Sequence, residues 1–211
     1  MNELASVYLI TDRKAVLTGA FLGALKAALS GGIRLLQLRE KDLPAMELLR
    51  LAREVRGLAS EYNAKLLIND RADIAALSGA DGVHLTSKSY AASRARELLG
   101  PGKLIGVSTH SLEEAREAEA RGADFVTFGP VFHTPSKAEY GKPLGTGVLK
   151  EAAAALSIPV YALGGIQKGN LGEAVKTGAR IAVISAIMGS PDTELAAREL
   201  IDKALACRQT E

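Results

Sequence analysis

Several polar and charged residues follow apolar runs of this sequence, at points that suit the recognition of a phosphorylated substrate. In the segment 37–41, residues alternate along an extended strand, so Gln37, Arg39 and Lys41 should point to the same side. An arginine fork and a lysine point charge could bind a diphosphate there. A solvated strand end with a local pair of an arginine and a glutamate is the alternative interpretation.

Asp70 follows a third apolar run and precedes a helical pattern, which allows two interpretations. An aspartate at this place commonly caps the helix. Its carboxylate could instead bind Mg²⁺, because this ion favours one or two carboxylates together with phosphate oxygens of a substrate. The two roles do not exclude each other.

Small residues follow the last two apolar runs. Gly164 and Gly165 come after the seventh run, and Ser185 comes after the eighth. Loops at these places in parallel α/β barrels often bind a phosphate group through backbone N–H groups, and glycine lets the chain approach the anion closely. A tight turn would explain the glycines equally well.

The three histidines allow different roles. His84 lies inside an apolar run and is predicted to be a hydrogen-bonded core residue. His110 and His133 lie nearer to strand ends, where either could transfer a proton. The sequence contains no histidine and cysteine cluster with zinc spacing, no nucleophile elbow, no Walker loop and no dinucleotide fingerprint.

Eight short runs rich in Val, Ile and Leu predict the strands that position these residues. Most runs are almost continuously apolar, as expected for parallel strands that are covered on both faces. They lie at Val7–Ile10, Ile33–Leu38, Lys65–Ile68, Gly82–Leu85, Leu104–Val107, Phe125–Phe128, Pro159–Leu163 and Ile181–Ile184. Amphipathic helical patterns between them are clearest at Pro44–Tyr62, Ser111–Arg121, Val148–Leu156 and Asp192–Cys207.

This alternation predicts one domain over residues 1–211, with an α/β fold and the architecture of a (β/α)₈ TIM barrel. Eight units in this length leave about 26 residues for each, near the short limit for a closed barrel. An open, doubly wound sheet is the alternative. The irregular stretch 130–147 is long for a compact domain and is predicted to be a mobile flap over the pocket.

Composition limits the classes of partner. The formal charge of +2 is spread along the chain, only 4% of residues are aromatic and tryptophan is absent. We therefore expect no nucleic-acid partner and no membrane-surface patch. The first twelve residues lack the pattern of a secretory signal or a membrane span, so we expect a cytoplasmic protein. The single cysteine, Cys207, cannot form an internal disulfide and fits a reducing compartment.

Seven segments follow one another in the order seen in thiamine phosphate synthases, and the sequence resembles that family over nearly its whole length. The segments are QLREKD (37–42), INDRADIA (68–75), GADGVHL (79–85), GVSTHS (106–111), GADFVTFGPVFHTPSK (122–137), ALGGI (162–166) and VISAI (183–187). Seven ordered matches are far more specific than any one of them.

The resemblance implies a (β/α)₈ barrel transferase of thiamine biosynthesis. Such an enzyme joins 4-amino-2-methyl-5-hydroxymethylpyrimidine diphosphate to 4-methyl-5-(2-hydroxyethyl)thiazole phosphate, with Mg²⁺ as its cofactor and release of pyrophosphate. The partners are then these two phosphorylated small molecules, and a homodimer is left open. In this family pyrophosphate leaves before the thiazole attacks, so the protein must stabilise the charge of the leaving group.

The resemblance also assigns residues to each ligand. The pyrimidine diphosphate would contact Gln37, Arg39, Lys41, Asn69, Ser108 and Lys137. The thiazole phosphate would contact Thr134, Ser136, Gly165, Ile184 and Ser185. Asp70 would bind magnesium. The catalytic residues would be Arg39, Lys41, Ser108 and Lys137.

One position departs from the family pattern. After GVHL the synthases typically continue Gly-Gln-x-Asp, and this Asp is their second magnesium carboxylate. The corresponding residue here is Ser89, and Lys88 precedes it. Loss of a carboxylate should weaken Mg²⁺ binding unless Asp12, Asp73 or a water shell compensates.

This departure keeps two alternatives open. Sequences without the second carboxylate resemble the thiazole tautomerases, a sister group that shares the barrel and the phosphate site. Those enzymes use a histidine where this sequence has Pro130, so the reaction would need His133 or His110 instead. A catalytically weak homologue that binds ligands or regulates is the second alternative. The retained Arg39, Lys41 and Lys137 favour the synthase.

Overall fold

Eight parallel strands form a closed barrel in the computed structural model, which describes residues 4–17, 20–134 and 142–209. The strands are β1 (Val7–Ile10), β2 (Leu35–Leu38), β3 (Lys65–Asn69), β4 (Gly82–Leu85), β5 (Leu104–Thr109), β6 (Phe125–Phe128), β7 (Val160–Ala162) and β8 (Arg180–Val183). Each strand pairs with the next, and β8 pairs with β1 through the register Tyr8 to Ala182. The (β/α)₈ barrel is therefore confirmed, and the open sheet is wrong.

Helices cover the outside of this barrel. They are α1 (Phe21–Ser30), α2 (Ala45–Glu61), α3 (Ala72–Ser78), α4 (Ala92–Leu99), α5 (Leu112–Ala120), α6 (Gly145–Ala155), α7 (Leu171–Val175), α8 (Ser185–Met188) and α9 (Thr193–Gln209), with a 3₁₀ turn at Arg13–Ala15. Across the described ranges, no helix combines the length and the apolar character that a membrane span needs.

The predicted elements differ from the observed ones mainly at their ends. β5 continues through Thr109, two residues beyond the predicted end. α6 begins at Gly145, three residues before the apolar period that predicted it. The backbone explains this early start, because Leu144 N–H donates to Pro130 O at 2.8 Å and Gly145 N–H donates to Val131 O at 3.1 Å. These two bonds join the chain that enters α6 to the chain that leaves β6.

The barrel interior is filled by side chains, so a ligand can bind only at its mouth. Three rings lie at its centre, with centroid separations of 5.4 Å for Tyr8 and Phe125, 5.3 Å for Phe125 and Tyr161, and 5.6 Å for Tyr8 and Tyr161. All three ring pairs are edge-on, the geometry that aromatic pairs prefer. A separate and larger apolar layer packs between the strands and the helices. The fold therefore directs the polar strand ends to one rim.

Because Gly106 has no side chain, the rings of His84 and Phe125 can occupy the space beside it. It lies in β5 opposite His84 in β4 and opposite Phe125 in β6. A Cβ atom at this position would come within 2.4 Å of Phe125 Cζ and 2.5 Å of His84 Nδ1. Both rings are buried and cannot move into solvent. Only glycine fits between them.

We expect Gly106→Ala to lower the free energy of unfolding by about 1–3 kcal/mol, because the added methyl group overpacks the barrel interior. Urea denaturation followed by far-ultraviolet circular dichroism measures this change. Gly23→Ala is the matched control, since Gly23 is exposed in α1 and its added Cβ meets no atom within 4 Å. The control should be stabilised by about 0.5–1 kcal/mol. Equal stability of the two variants would contradict the close packing at Gly106.

Candidate active site

An ionic clamp holds the segment that follows β2. Arg13 forms a two-pronged pair with Asp42, at 2.6 Å between Nη1 and Oδ1 and 2.9 Å between Nη2 and Oδ2. Arg13 Nη1 also lies 3.2 Å from Glu40 Oε2, and the Thr11 hydroxyl donates to Glu40 Oε1 at 2.8 Å. The guanidinium of Arg13 and the ammonium of Lys14 hold the pKa of the Asp42 carboxyl well below its usual range. Thr11 and Arg13, which follow β1, thus hold the Glu40 carboxylate.

Arg39 and Lys41 follow the end of β2 at Leu38 and alternate in sequence with the two clamped carboxylates. The backbone N–H of Arg39 donates to Thr11 Oγ1 at 3.0 Å, which fixes the chain at this residue. Burial lowers the pKa of Lys41, the positive charge of Arg39 lowers it further, and the carboxylate of Asp70 raises it. Two cations and one carboxylate, from the ends of β2 and β3, therefore lie within electrostatic reach of one another.

Asp70 does not cap the helix that follows it. The cap position of α3 is Arg71, whose side chain makes no capping hydrogen bond. Asp70 instead has a left-handed backbone with a φ of 61°, and its carboxylate accepts hydrogen bonds from the loop after β4. The donors are Thr86 N–H at 3.2 Å, the Thr86 hydroxyl at 3.1 Å and the Ser89 hydroxyl. The cap interpretation is therefore wrong.

The oxygen atoms around Asp70 fit a hard cation such as Mg²⁺ only in part. Ser89 occupies the place of the second family carboxylate and offers a hydroxyl that donates to Asp70. The two carboxylates that could compensate have other partners, because Asp73 accepts from Arg71 at 2.8 and 2.6 Å and Asp12 accepts from Lys14 N–H at 3.0 Å. The described part of the chain holds no group of three or more His, Cys, Asp or Glu residues around a metal position.

His84 lies below the mouth and is buried on all sides. Its Nδ1 is 3.2 Å from the Tyr8 hydroxyl, and its Nε2 is 3.0 Å from Ser108 Oγ. Burial lowers the pKa of His84 to about 3, although the nearby Asp70 carboxylate acts in the opposite direction. The ring is therefore neutral at physiological pH, and its prediction as a hydrogen-bonded core residue is confirmed.

Three further residues predicted for the pyrimidine site lie on β2, β3 and β5. Asn69 is the last residue of β3 and is half-buried. Ser108 lies near the end of β5, where the Thr127 hydroxyl of β6 approaches its Oγ to 3.4 Å. Gln37 is 1% exposed, and its Nε2 donates to Tyr8 at 2.8 Å, so it supports the mouth from below.

A second part of the mouth is a cavity of about 150 Å³ beyond β7 and β8. Four residues predicted for the thiazole phosphate line it, namely Thr134, Gly165, Ile184 and Ser185. Gly165 has a φ of 67°, and a Cβ atom there would come within 2.5 Å of His133 O. The loops after β6 and β7 are therefore packed so closely that only glycine fits.

Two predicted residues and the middle of the predicted flap lie outside the described residues. Ser136 and Lys137 belong to residues 135–141, the part of the stretch 130–147 that the structure does not describe. The described residues on either side of the gap bond one another next to the cavity, through the N–H groups of Leu144 and Gly145.

The two histidines considered for proton transfer have different surroundings. His110 Nδ1 lies 2.5 Å from Gly129 O and donates to this carbonyl. His133 is exposed and lines the second cavity. Of these two histidines, His133 is therefore the one that could transfer a proton at this cavity.

Sequence reasoning missed three elements of the site: Tyr8, Thr86 and the clamp by Arg13. Tyr8 lies in a continuously apolar run, and only its inward position on β1 and its hydroxyl could have indicated a polar role. Thr86 follows His84 by two residues on the same side of the chain, a signal that was available. The clamp joins residues 27 and 29 positions apart, for which the sequence holds no local signal.

Comparisons with known proteins agree on one family. The family model described as "Thiamine monophosphate synthase" matches residues 7–187. A curated protein of Geobacter sulfurreducens, provisionally named a thiamine-phosphate synthase, is 53% identical over 93% of this chain and 92% of its own length. The thiamine-phosphate synthase of Roseiflexus castenholzii is 41% identical over 94% of this chain and 87% of its own.

A solved structure extends this similarity to three dimensions. The thiamine phosphate pyrophosphorylase from Pyrococcus furiosus superposes with a TM-score of 0.87 and 38% sequence identity. The superposition covers 95% of this chain and 96% of that protein. The similarity therefore extends over the fold as well as the sequence.

Proposed function

Because the chain belongs to the thiamine monophosphate synthase family, we propose that it joins hydroxymethylpyrimidine diphosphate to hydroxyethylthiazole phosphate with release of pyrophosphate. The observation that carries this proposal is that Arg39 and Lys41 follow the end of β2 while Asp70 follows the end of β3, the strand paired with β2. A diphosphate leaving group needs cations around it, and a carboxylate beside those cations can hold a metal ion.

The cations on the β2 side would bind the diphosphate of the pyrimidine. Arg39 can form two parallel hydrogen bonds to phosphate oxygens, and Lys41 adds a point charge. The clamp by Arg13 holds Glu40 and Asp42 away from this position, so their negative charges do not oppose the anion. Charge that develops on pyrophosphate as it leaves would then be stabilised by groups already in place. Lys137 completes this set in the proposal.

The thiazole phosphate would bind across the loops after β7 and β8. The cavity there is lined by the hydroxyls of Thr134 and Ser185 and by the backbone of Gly165 and Ile184. We assign Ser136 to the same phosphate. The acceptor would thus approach from the β7–β8 side while pyrophosphate departs on the β2–β3 side. Bond formation and departure can then take place on opposite sides of the reacting carbon.

Asp70 would hold Mg²⁺, with phosphate and water oxygens as the remaining ligands. Bound there, the ion would neutralise charge on the diphosphate. The hydroxyls of Thr86 and Ser89 orient the Asp70 carboxylate through hydrogen bonds. A cytoplasmic location and a homodimer remain predictions of the sequence.

One assay tests the proposed function. Purified full-length protein is mixed with both substrates and Mg²⁺, pyrophosphate is measured enzymatically, and thiamine phosphate is measured by chromatography. We expect equal amounts of the two products. Thiazole isomerisation is followed in parallel samples. Isomerisation without pyrophosphate would favour the tautomerase, and binding without any turnover would favour the ligand-binding homologue.

We expect Ser89→Asp to lower the Mg²⁺ concentration for half-maximal rate by about tenfold, because it adds a second carboxylate beside Asp70. A magnesium titration of pyrophosphate release measures this. Without metal, the two adjacent carboxylates repel each other, so the same variant should melt at a lower temperature and regain stability on addition of Mg²⁺.

Ser87→Asp is the control for this change. It adds the same charge to the same loop, but Ser87 is exposed and does not bond Asp70. An unchanged titration for Ser89→Asp, or an equal shift for both variants, would show that position 89 does not take part in metal binding.

A further inference from the structure

A chain of hydrogen bonds crosses the barrel interior and ends at the mouth. Gln37 Nε2 lies 2.8 Å from the Tyr8 hydroxyl, which lies 3.2 Å from His84 Nδ1. His84 Nε2 lies 3.0 Å from Ser108 Oγ. Tyr8, Gln37 and His84 are 0%, 1% and 2% exposed, so no water exchanges with these groups from bulk solvent. Four strands contribute one member each.

The donor and acceptor properties of these groups fix the direction of each hydrogen bond in the series. The Gln37 amide nitrogen can only donate, so the Tyr8 oxygen accepts from it and has its single hydrogen left for His84 Nδ1. Because the phenol donates to Nδ1, this nitrogen carries no hydrogen and the imidazole ring is neutral. A neutral imidazole that accepts at Nδ1 carries its hydrogen at Nε2. His84 therefore donates to Ser108.

Ser108 Oγ accepts a second hydrogen bond from a residue of the neighbouring strand β6. The Thr127 hydroxyl donates to Ser108 Oγ at 3.4 Å. A serine oxygen has two lone pairs and one hydrogen. With both lone pairs directed at His84 and Thr127, the remaining group that Ser108 can offer to a ligand is its hydrogen.

We propose that Tyr8 and His84 are positioning residues that fix the polarity of Ser108, so that its hydroxyl always donates to an anionic oxygen of the departing diphosphate. This inference rests on the proposed function. An unsupported hydroxyl can rotate and present either a hydrogen or a lone pair, and an anion is repelled by the lone pair. A fixed donor needs no reorganisation when negative charge develops on the leaving group.

The packing around His84 supports such a fixed orientation. Its ring centroid lies 5.6 Å from that of Tyr8 and 5.8 Å from that of Phe125. Gly106 lies on the neighbouring strand, where any Cβ atom would come within 2.5 Å of His84 Nδ1. The ring therefore lies in a tight slot with each nitrogen facing one partner.

Nitrogen-15 NMR of the intact protein labelled at histidine tests the direction of the chain. The signals of His84 are identified by their loss in His84→Gln. We expect the wild-type protein at neutral pH to show a neutral His84 with its proton on Nε2 and a hydrogen-bonded Nδ1. A proton on Nδ1 would mean that the hydrogen bonds run in the opposite direction. This result would overturn the inference, whatever the activity of the protein.

Tyr8→Phe tests the functional part of the inference. It removes the donor to Nδ1, so the Nδ1 signal should move towards that of an unbonded nitrogen, and kcat should fall about tenfold with little change in KM. In a Ser108→Ala background, the same substitution should have no further effect on kcat. An effect of equal size in that background, or wild-type kcat for Tyr8→Phe, would overturn the positioning role.

Tyr161→Phe is the matched control. Tyr161 belongs to the same ring cluster, but its hydroxyl donates to Ala5 O at 2.6 Å, away from Ser108. It should leave the His84 signals and kcat unchanged. If the wild-type protein releases no pyrophosphate from its two substrates, the proposed function fails, while the histidine spectra still decide the direction of the chain.

Discussion

Arg39→Ala should lower kcat/KM for thiamine phosphate formation by about 10²–10³-fold, which corresponds to about 2.7–4 kcal/mol of transition-state stabilisation. The substitution removes a two-pronged donor from the place where charge develops on pyrophosphate. Steady-state release of pyrophosphate with both substrates measures the effect. The kcat/KM of Arg39→Lys should lie between the values of the wild-type protein and of Arg39→Ala, because lysine keeps the positive charge but cannot form two parallel hydrogen bonds.

The fold should survive this change. The backbone of residue 39 is held through its N–H group by Thr11, and the clamp that involves Arg13 does not include the Arg39 side chain. The melting temperature should therefore stay within about a degree or two of wild type, as for most exposed or half-buried substitutions. Arg116→Ala, on the exposed side of α5, controls for the loss of one positive charge. Normal turnover by Arg39→Ala would remove this residue from the site.

The barrel could be predicted from the sequence because its signals are local and repeated. Each buried parallel strand is an apolar run, and β1, β4 and β6 have the predicted limits. The ends of helices and strands were less predictable where hydrogen bonds to a distant part of the backbone determine them. α6 begins early because its first N–H groups bond the chain after β6, and nothing in its own sequence shows this.

From the sequence, the site could be predicted only as a group of polar residues at the ends of strands. Alternation along a strand predicted a common side for Gln37, Arg39 and Lys41, but β2 ends at Leu38 and Lys41 lies in a turn. The partner of Glu40 could not be predicted, because Arg13 comes from another strand end. The role of Asp70 was misjudged in part for the same reason. Its carboxylate accepts hydrogen bonds from Thr86 and Ser89, in the loop after the neighbouring strand β4, whereas local propensity points to a cap.

Asp70→Asn should raise the Mg²⁺ concentration for half-maximal rate by at least about tenfold, because it removes the carboxylate that we assign to the metal ion. Asparagine is preferred to alanine here. Residue 70 has a φ of 61°, and asparagine, like aspartate, adopts this left-handed conformation with little strain. Magnesium titrations of pyrophosphate release measure the change.

Asp73→Asn is the control for this prediction, since it removes an equal charge three residues away. Asp73 is exposed and paired with Arg71, so its loss should leave the magnesium titration unchanged. Binding of Mn²⁺ in the presence of pyrophosphate, followed by electron paramagnetic resonance, separates a loss of metal affinity from a loss of chemistry. If Asp70→Asn binds Mn²⁺ as the wild-type protein does, the metal lies elsewhere and Asp70 only orders the loop of Thr86 and Ser89.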